Sequence, residues 1–282
     1  MLKICVLVKP IMDPASIQWD FHQQRFAFLS NSFNSADLHA LQWACDYKQK
    51  HGGTITVLLA ADPNWDIDQA RLLKYPIDEC VVLRKPDLQE NRDEVAVILA
   101  NELNQRPFDL ILSGSVSEDA HLGITPSKVA ELLSIPSLTN IHDMEKMDER
   151  KWKVKRSEGR GIVQTYQMML PALIGVVSSL GRKRYIPRNS PVARLHKKMA
   201  ERTLGKTTNK PRVKVLKVSD PQPNIRYFSI PSVHLSPVHR MLQIMGLAQG
   251  KKEQSGDKVA SEINERNIHF ISQKIQKWLK EE

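Results

Sequence analysis

No window of the 282-residue chain approaches the roughly 18 uninterrupted apolar residues that a membrane-spanning helix needs; the best run, Met168 to Val177, is too short. No membrane insertion is therefore expected. Met1 leads straight into Leu2-Lys3-Ile4-Cys5-Val6-Leu7-Val8, with neither a charged preamble nor a small-residue cleavage site. That reads as a first β-strand rather than a signal or transit peptide, and implies a cytoplasmic location. Cysteine is scarce: Cys5, Cys45 and Cys80 are odd in number, widely spaced and each within an apolar segment. They read as buried free thiols in a reducing compartment, and neither a disulfide framework nor a bound metal is expected. Neither G-x-G-x-x-G nor a P-loop is present, G-x-S-x-G is absent, and the nine histidines show no metal-binding spacing. Local chemistry thus points to binding, with no catalytic residues.

What is present is a net charge of +10, unevenly placed. Lys151 to Lys217 holds 18 Lys and Arg against Glu158 and Glu201 alone, so the rest of the chain is mildly acidic. Such a stretch is either solvated surface or the face for an anionic partner. Nucleic acid is the obvious anion, yet only Trp152, Tyr166 and Tyr185 supply aromatics there, too few for a stacking platform.

The first 135 residues alternate strand and helix patterns. After the first strand, Asn34 and Ser35 precede a helix with Leu38, Leu41 and Ala44/Cys45 on one stripe and Asp37 in its first turn, where the dipole favours an acid. Thr54 to Leu59, Glu79 to Leu83 and Phe108 to Gly114 read as buried strands. A short helix near 66–74, one from an Asn91/Glu94 capping box and one from Pro126 to Leu133 lie between or after them. The pattern predicts an α/β fold with a doubly wound, mostly parallel sheet. Beyond 150, residues 152–156, 162–167 and 172–177 read as short strands, forming a meander or extending the sheet antiparallel. Three parts follow: an α/β nucleotide-binding domain over 1–181, a basic Pro-rich arm over 182–250, and a linker with a C-terminal helix over 251–282.

The sharpest local feature runs from Ser113 to Pro126, a strand end, a polar loop and a helix start with Thr125 as expected N-cap and Pro126 at the first helical position. Free N–H groups there suit a phosphate, and Gly114 and Gly123 would let backbone approach a ligand. A plain strand-to-helix connection is the other reading.

The order of motifs resembles the β subunit of electron transfer flavoproteins. It runs from Lys3-Ile4-Cys5-Val6-Leu7-Val8-Lys9 with Asp13, through Asn34-Ser35-Ala36-Asp37 and the loop Gly114 to Thr125, to Ala130-Glu131-Leu132-Leu133. Arg156-Ser157-Glu158-Gly159-Arg160-Gly161, Leu170-Pro171-Ala172 and Arg184-Tyr185 complete it over roughly residues 1–200. The resemblance implies a sheet of the adenine-nucleotide-binding type and an obligate α subunit, wrapped by the arm, that carries most of an FAD site. It implies AMP, or a second FAD in its place, bound by Leu7, Asn34, Ser35, Ala36, Asp37, Ala61, Gly114, Ser117, Asp119, Gly123, Ile124 and Thr125. Electrons would pass from a flavin dehydrogenase, such as an acyl-CoA dehydrogenase met through loop 182–198, to a quinone reductase or other acceptor. Two other readings were weighed against it: a stand-alone ATP-binding module resembling universal stress proteins, whose Gly-rich loop is missing, and a basic nucleic-acid-binding protein.

In this family the loop after Arg-Tyr presents a leucine to the dehydrogenase; here Arg188 stands in its place. A guanidinium in an apolar pocket is costly unless paired, so the donor should offer carboxylates to this loop. The expected outcome is an electron-transfer rate that falls as ionic strength rises and drops on Arg188→Glu. Salt-independent rates unaffected by that substitution would show that the loop does not select the donor.

Overall fold

The computed structural model describes residues 1–20, 25–86, 88, 92–180, 198–205 and 234–244. It divides into two units, Met1–Asp220 and Pro221–Glu282. The Asn91 cap, the loop around Arg188 and the helix expected over 257–280 lie outside the described residues.

In the first unit the chain opens with β1 (Lys3–Leu7) and two antiparallel ribbons. These pair β2 (Pro10–Met12) with β5 (Asn31–Phe33), and β3 (Ile17–Asp20) with β4 (Arg25–Phe28). Then follow α1 (Ser35–His51), β6 (Thr54–Ala61), α2 (Gln69–Leu72), β7 (Glu79–Arg84), α3 (Arg92–Asn104), β8 (Leu110–Gly114) and α4 (Ile124–Leu132). The rest comprises β9 (Ser137–Lys146), β10 (Lys151–Gly159), β11 (Ile162–Met169), β12 (Ala172–Val176) and β13 (Lys198–Thr203). One nine-stranded sheet has the order β11-β10-β9-β12-β8-β1-β6-β7-β13, parallel from β9 to β13.

Its central strands are buried on both faces, as their unbroken apolar runs require. Ile4, Val6, Leu110 and Leu112 face α1 through Leu38, Leu41 and Ala44. Cys5, Leu7 and Ile111 face α3 and α4 through Leu99, Val129 and Ala130. All three cysteines are free and buried. No helix among the described residues is long and apolar enough to cross a membrane. After β1 the chain builds outward through β6 and β7, then returns to place β8 on the opposite side of β1. Between β1 and β8, therefore, lies the topological switch point, outside whose carboxyl ends open α/β sheets bind ligands.

Of the three strands expected beyond 150, β12 inserts into the parallel region between β8 and β9, while β10 and β11 extend the sheet antiparallel. Their turn uses left-handed backbone at Gly159, Arg160 and Gly161. β9 was not expected. Its alternation is broken by a bulge: Leu138 and Ile141 pair with Ile174 and Val176, leaving one extra residue on β9, where Asn140 has φ 60°. Lys198–Thr203, inside the segment read as an arm, forms the far edge strand beside β7.

In the second unit the described helix is α5 (Pro237–Ile244), with Pro237 at its first position and the Ser236 hydroxyl accepting from the His239 N–H at 3.4 Å.

The antiparallel extension is pinned by Trp152, fully buried on β10, whose ring lies 5.7 Å from Trp43 and 5.5 Å from Tyr47 on α1. Trp152→Ala should lower unfolding free energy in urea denaturation by about 3–5 kcal/mol, as large-to-small core changes of aromatic residues do. Trp152→Phe keeps a ring and removes an indole N–H that has no hydrogen-bond partner among the described residues. It should cost less than half as much; equal costs would show that the ring contacts contribute little.

Candidate functional site

Two loops leave the switch point for opposite faces of the sheet. From β1 the chain passes Val8 and Lys9, makes the ribbons, and enters α1 at Asn34. From β8 it passes Ser115 and a polar loop into α4. Asp37, in the first turn of α1, ties them together: its carboxylate accepts the Lys9 N–H at 2.8 Å and the Gly114 N–H at 2.5 Å. Asn34 adds three bonds, donating its N–H to the Lys9 carbonyl at 3.0 Å and its Nδ2 to the Val116 carbonyl at 3.1 Å, and accepting the Glu118 N–H at 3.2 Å. Both side chains are interior, Asn34 2% and Asp37 4% exposed. Burial pushes the Asp37 carboxyl up to about 6, although the two N–H donors, Asn34 and the Lys9 charge all pull the other way.

Gly114 makes room for this tie. A Cβ there would lie 2.6 Å from Asp37 Oδ1, 2.7 Å from Ala36 Cβ and 2.8 Å from Asn34 Nδ2. Gly123 likewise serves the chain: its Cβ would meet the Ser115 carbonyl oxygen at 2.8 Å, and its φ of 62° is left-handed. That conformation moves the start of α4. Gly123 is the N-cap residue, Ile124 the first helical residue and Thr125 the second, so the expected Thr125 cap does not form. Pro126 falls at the third position, still within the turn whose N–H groups have no helical acceptor.

The loop's outer side is held by Lys9, whose Nζ donates to Asp119 Oδ1 at 2.6 Å and to Ser117 Oγ at 3.1 Å. Partial burial raises the Asp119 carboxyl, but the bonds from Lys9, Ser117 and the Ala120 N–H outweigh it and hold it below its ordinary value. His121, in left-handed backbone, donates its N–H to the Ser117 carbonyl at 2.9 Å. Ser115 anchors the inner side, donating its N–H to Val176 and accepting the Asn140 N–H on Oγ, both at 2.8 Å. Among the described residues no acceptor faces the N–H groups of Ile124 or Thr125. The Ser113 hydroxyl, buried at the carboxyl end of β8, has no hydrogen-bond partner among the described residues.

Of the residues expected at the site, Leu7, Asn34, Ala36, Asp37, Ala61 and Gly114 are buried. Ser35, Ser117, Gly123 and Thr125 are half-buried, and Asp119 and Ile124 are exposed. The ties bring the β1–α1 and β8–α4 loops together; Ala61, at the end of β6, shares in none of them, its carbonyl accepting the Lys85 N–H at 3.0 Å. Ser113 and Ser115 lie within the Ser113–Pro126 feature singled out from the sequence; Lys9 and Asn140 were not expected as members of the site. A lone charge directly after the first buried strand was the available signal for Lys9; Asn140 had none, since a bulge places it.

A family model described as the electron transfer flavoprotein domain matches residues 28–204. Across 221 residues the chain is 27% identical to an electron transfer flavoprotein subunit beta of Syntrophomonas wolfei, covering 78% of this chain and 86% of that one. It is 29% identical over 154 residues to the protein of the same description from Bacillus subtilis, covering 54% and 59%, and 24% identical over 160 residues to Protein FixA of Azotobacter vinelandii, covering 54% and 56%. The chain thus spans somewhat over half the length of the Bacillus and Azotobacter relatives.

The raised Asp37 carboxyl makes stability depend on pH with a known sign. Folded, it holds its proton to about pH 6, against an ordinary value of 3.8. Its contribution is therefore fully present below about pH 4 and is lost as pH rises through 6. Asp37→Asn abolishes that titration. In urea denaturation across pH, the advantage of the wild type over the variant should narrow by about 2–3 kcal/mol between pH 4 and 7. A constant difference would mean that this carboxyl titrates as it does in the unfolded chain.

Proposed function

The chain belongs to the electron transfer flavoprotein family, and from that membership we propose that it is the β-type subunit of a heterodimeric electron transfer flavoprotein. In this reading an α-type subunit carries most of the FAD site, and the present chain carries an adenine nucleotide, AMP or a second FAD, in its switch-point crevice. The pair takes electrons from a flavin dehydrogenase, with loop 182–198 choosing the donor, and passes them to a quinone reductase or other acceptor. FAD supplies the redox chemistry. The chain itself supplies a frame and a binding surface and acts as a cytoplasmic electron-carrier subunit without catalytic residues of its own.

One observation carries the nucleotide assignment. At the carboxyl ends of β1 and β8 the interior ties of Asn34 and Asp37 hold the β8–α4 loop, and the N–H groups of Ile124 and Thr125 meet no acceptor among the described residues. A helix start with unoccupied donors and the positive end of the helix dipole suits a phosphate. The orphan Ser113 hydroxyl and the Lys9 ammonium add polar donors around the same strand ends. The residues present fit an adenine nucleotide in which Gly123 to Thr125 meet phosphate, while Leu7, Asn34, Ala36, Asp37 and Gly114 shape the site from within. Ser35, Ser117 and Asp119 remain on its accessible side. Neither the universal-stress-like module nor a nucleic-acid-binding protein is favoured by the family match.

Denaturing the chain after purification with its flavin-binding partner should release, besides the partner's FAD, AMP or a second FAD in near-stoichiometric amount, read by nucleotide chromatography. Gly123→Ala should cut that content sharply, because its Cβ meets the Ser115 carbonyl and its φ is unfavourable for alanine. A folded heterodimer that releases no AMP and no FAD beyond the partner's one would sink the assignment.

A further inference from the structure

We infer that Lys9 and Asp119 form a latch across the crevice that sets how fast the bound nucleotide leaves; this rests on the nucleotide site proposed above. The loops flanking the switch point diverge, because α1 packs on the sheet face of Ile4 and Val6 and α4 on the face of Cys5 and Leu7. A molecule held between them enters and leaves past the side chains that bridge the two loops.

Three side chains make those bridges, and they differ in kind. The Asp37–Gly114 bond and the bonds of Asn34 to Val116 and Glu118 come from interior side chains. Parting them leaves buried donors and acceptors unpaired, so they act as permanent fastenings. Lys9–Asp119 stands at the rim, with the two side chains 44% and 39% exposed. An ion pair that wet adds little to stability and is weakened by salt, so it opens and re-forms while the inner fastenings hold. Two donors of the ammonium go to Asp119 and Ser117. Among the described residues its third donor meets no acceptor and can serve an anion, so the same group that closes the rim also attracts the phosphate. Lys9 and Asp119 are positioning residues in this scheme, acting on the mobility of loop 116–122 rather than on electron transfer.

The test is nucleotide release from the full chain purified with its flavin-binding partner. The complex, its partner site already filled with unlabelled FAD, is loaded with radiolabelled AMP or FAD and chased with unlabelled nucleotide. Lys9→Met and Asp119→Asn should each release roughly fivefold faster, the scale of an exposed ion pair. The double variant should be no faster than either single one, and Lys9→Arg, which keeps the charge, should stay near the wild-type rate. Release from the wild type should quicken as salt is raised, with a flatter salt dependence in Lys9→Met. Wild-type rates in both single variants, or additive effects in the double, overturn the latch while leaving the nucleotide site standing. A wild-type complex that retains neither labelled AMP nor FAD beyond the partner's one overturns both.

Discussion

The arrangement at the switch point depends on one buried carboxylate. Taking a charge out of water is costly unless it is paired or fully hydrogen-bonded, and Asp37 meets that requirement with backbone N–H groups rather than with a buried cation. Because those N–H groups belong to the segments leaving β1 and β8, satisfying the carboxylate fixes the separation of the two loops. Gly114 follows from this, since a side chain there would occupy the place of the carboxylate oxygen. So does the burial of Asn34, which continues the tie to Val116 and Glu118. A raised proton affinity is the residual cost of the arrangement.

Around that fastening the site divides by depth. Asn34 and Asp37, in its interior, spend most of their hydrogen-bonding capacity on the two loops, so they hold shape. The loop beyond Val116 is different: Val116, Leu122 and Ile124 are exposed apolar residues, 46%, 62% and 56%, on a segment otherwise rich in polar groups. A rigid frame carrying an adjustable loop is a common way to combine a defined site with ligand exchange.

At its two margins the sheet is secured by opposite means. Beyond β9, burial does it, through the packing of Trp152 against Trp43 and Tyr47. At the other margin β13 brings little apolar surface, with Ala200 only partly buried and Met199 exposed. Charge compensates there: Arg84 pairs with Glu201 at 2.7 Å, Arg202 with Glu102 at 2.8 Å, and Lys85 donates to the Gly205 carbonyl at 3.2 Å. Ladder bonds and partly exposed ion pairs hold an edge strand less firmly than a buried ring holds an extension.

The amino-acid sequence alone determined the elements whose signals are local. Unbroken apolar runs gave away β1, β6, β7 and β8, helical spacing gave α1, and the Gly-Arg-Gly turn between β10 and β11 was readable from its glycines. Side-chain periodicity and turn chemistry act over a few residues, so they survive in a linear reading. Tertiary structure decided what depends on distant neighbours. Polar β9 is a strand because β12 and β10 flank it, and Lys198–Thr203 left its reading as an arm because β7 offered a free edge. The helix at the site begins at Gly123 and not at Thr125 because the Ser115 carbonyl excludes a side chain there. Lys9 belongs to the site because strands 1 and 8, separated by a hundred residues of chain, lie side by side and bring Asp119 within 2.6 Å of its ammonium. No pattern along the chain encodes such a meeting, since it arises from the order in which the strands pack.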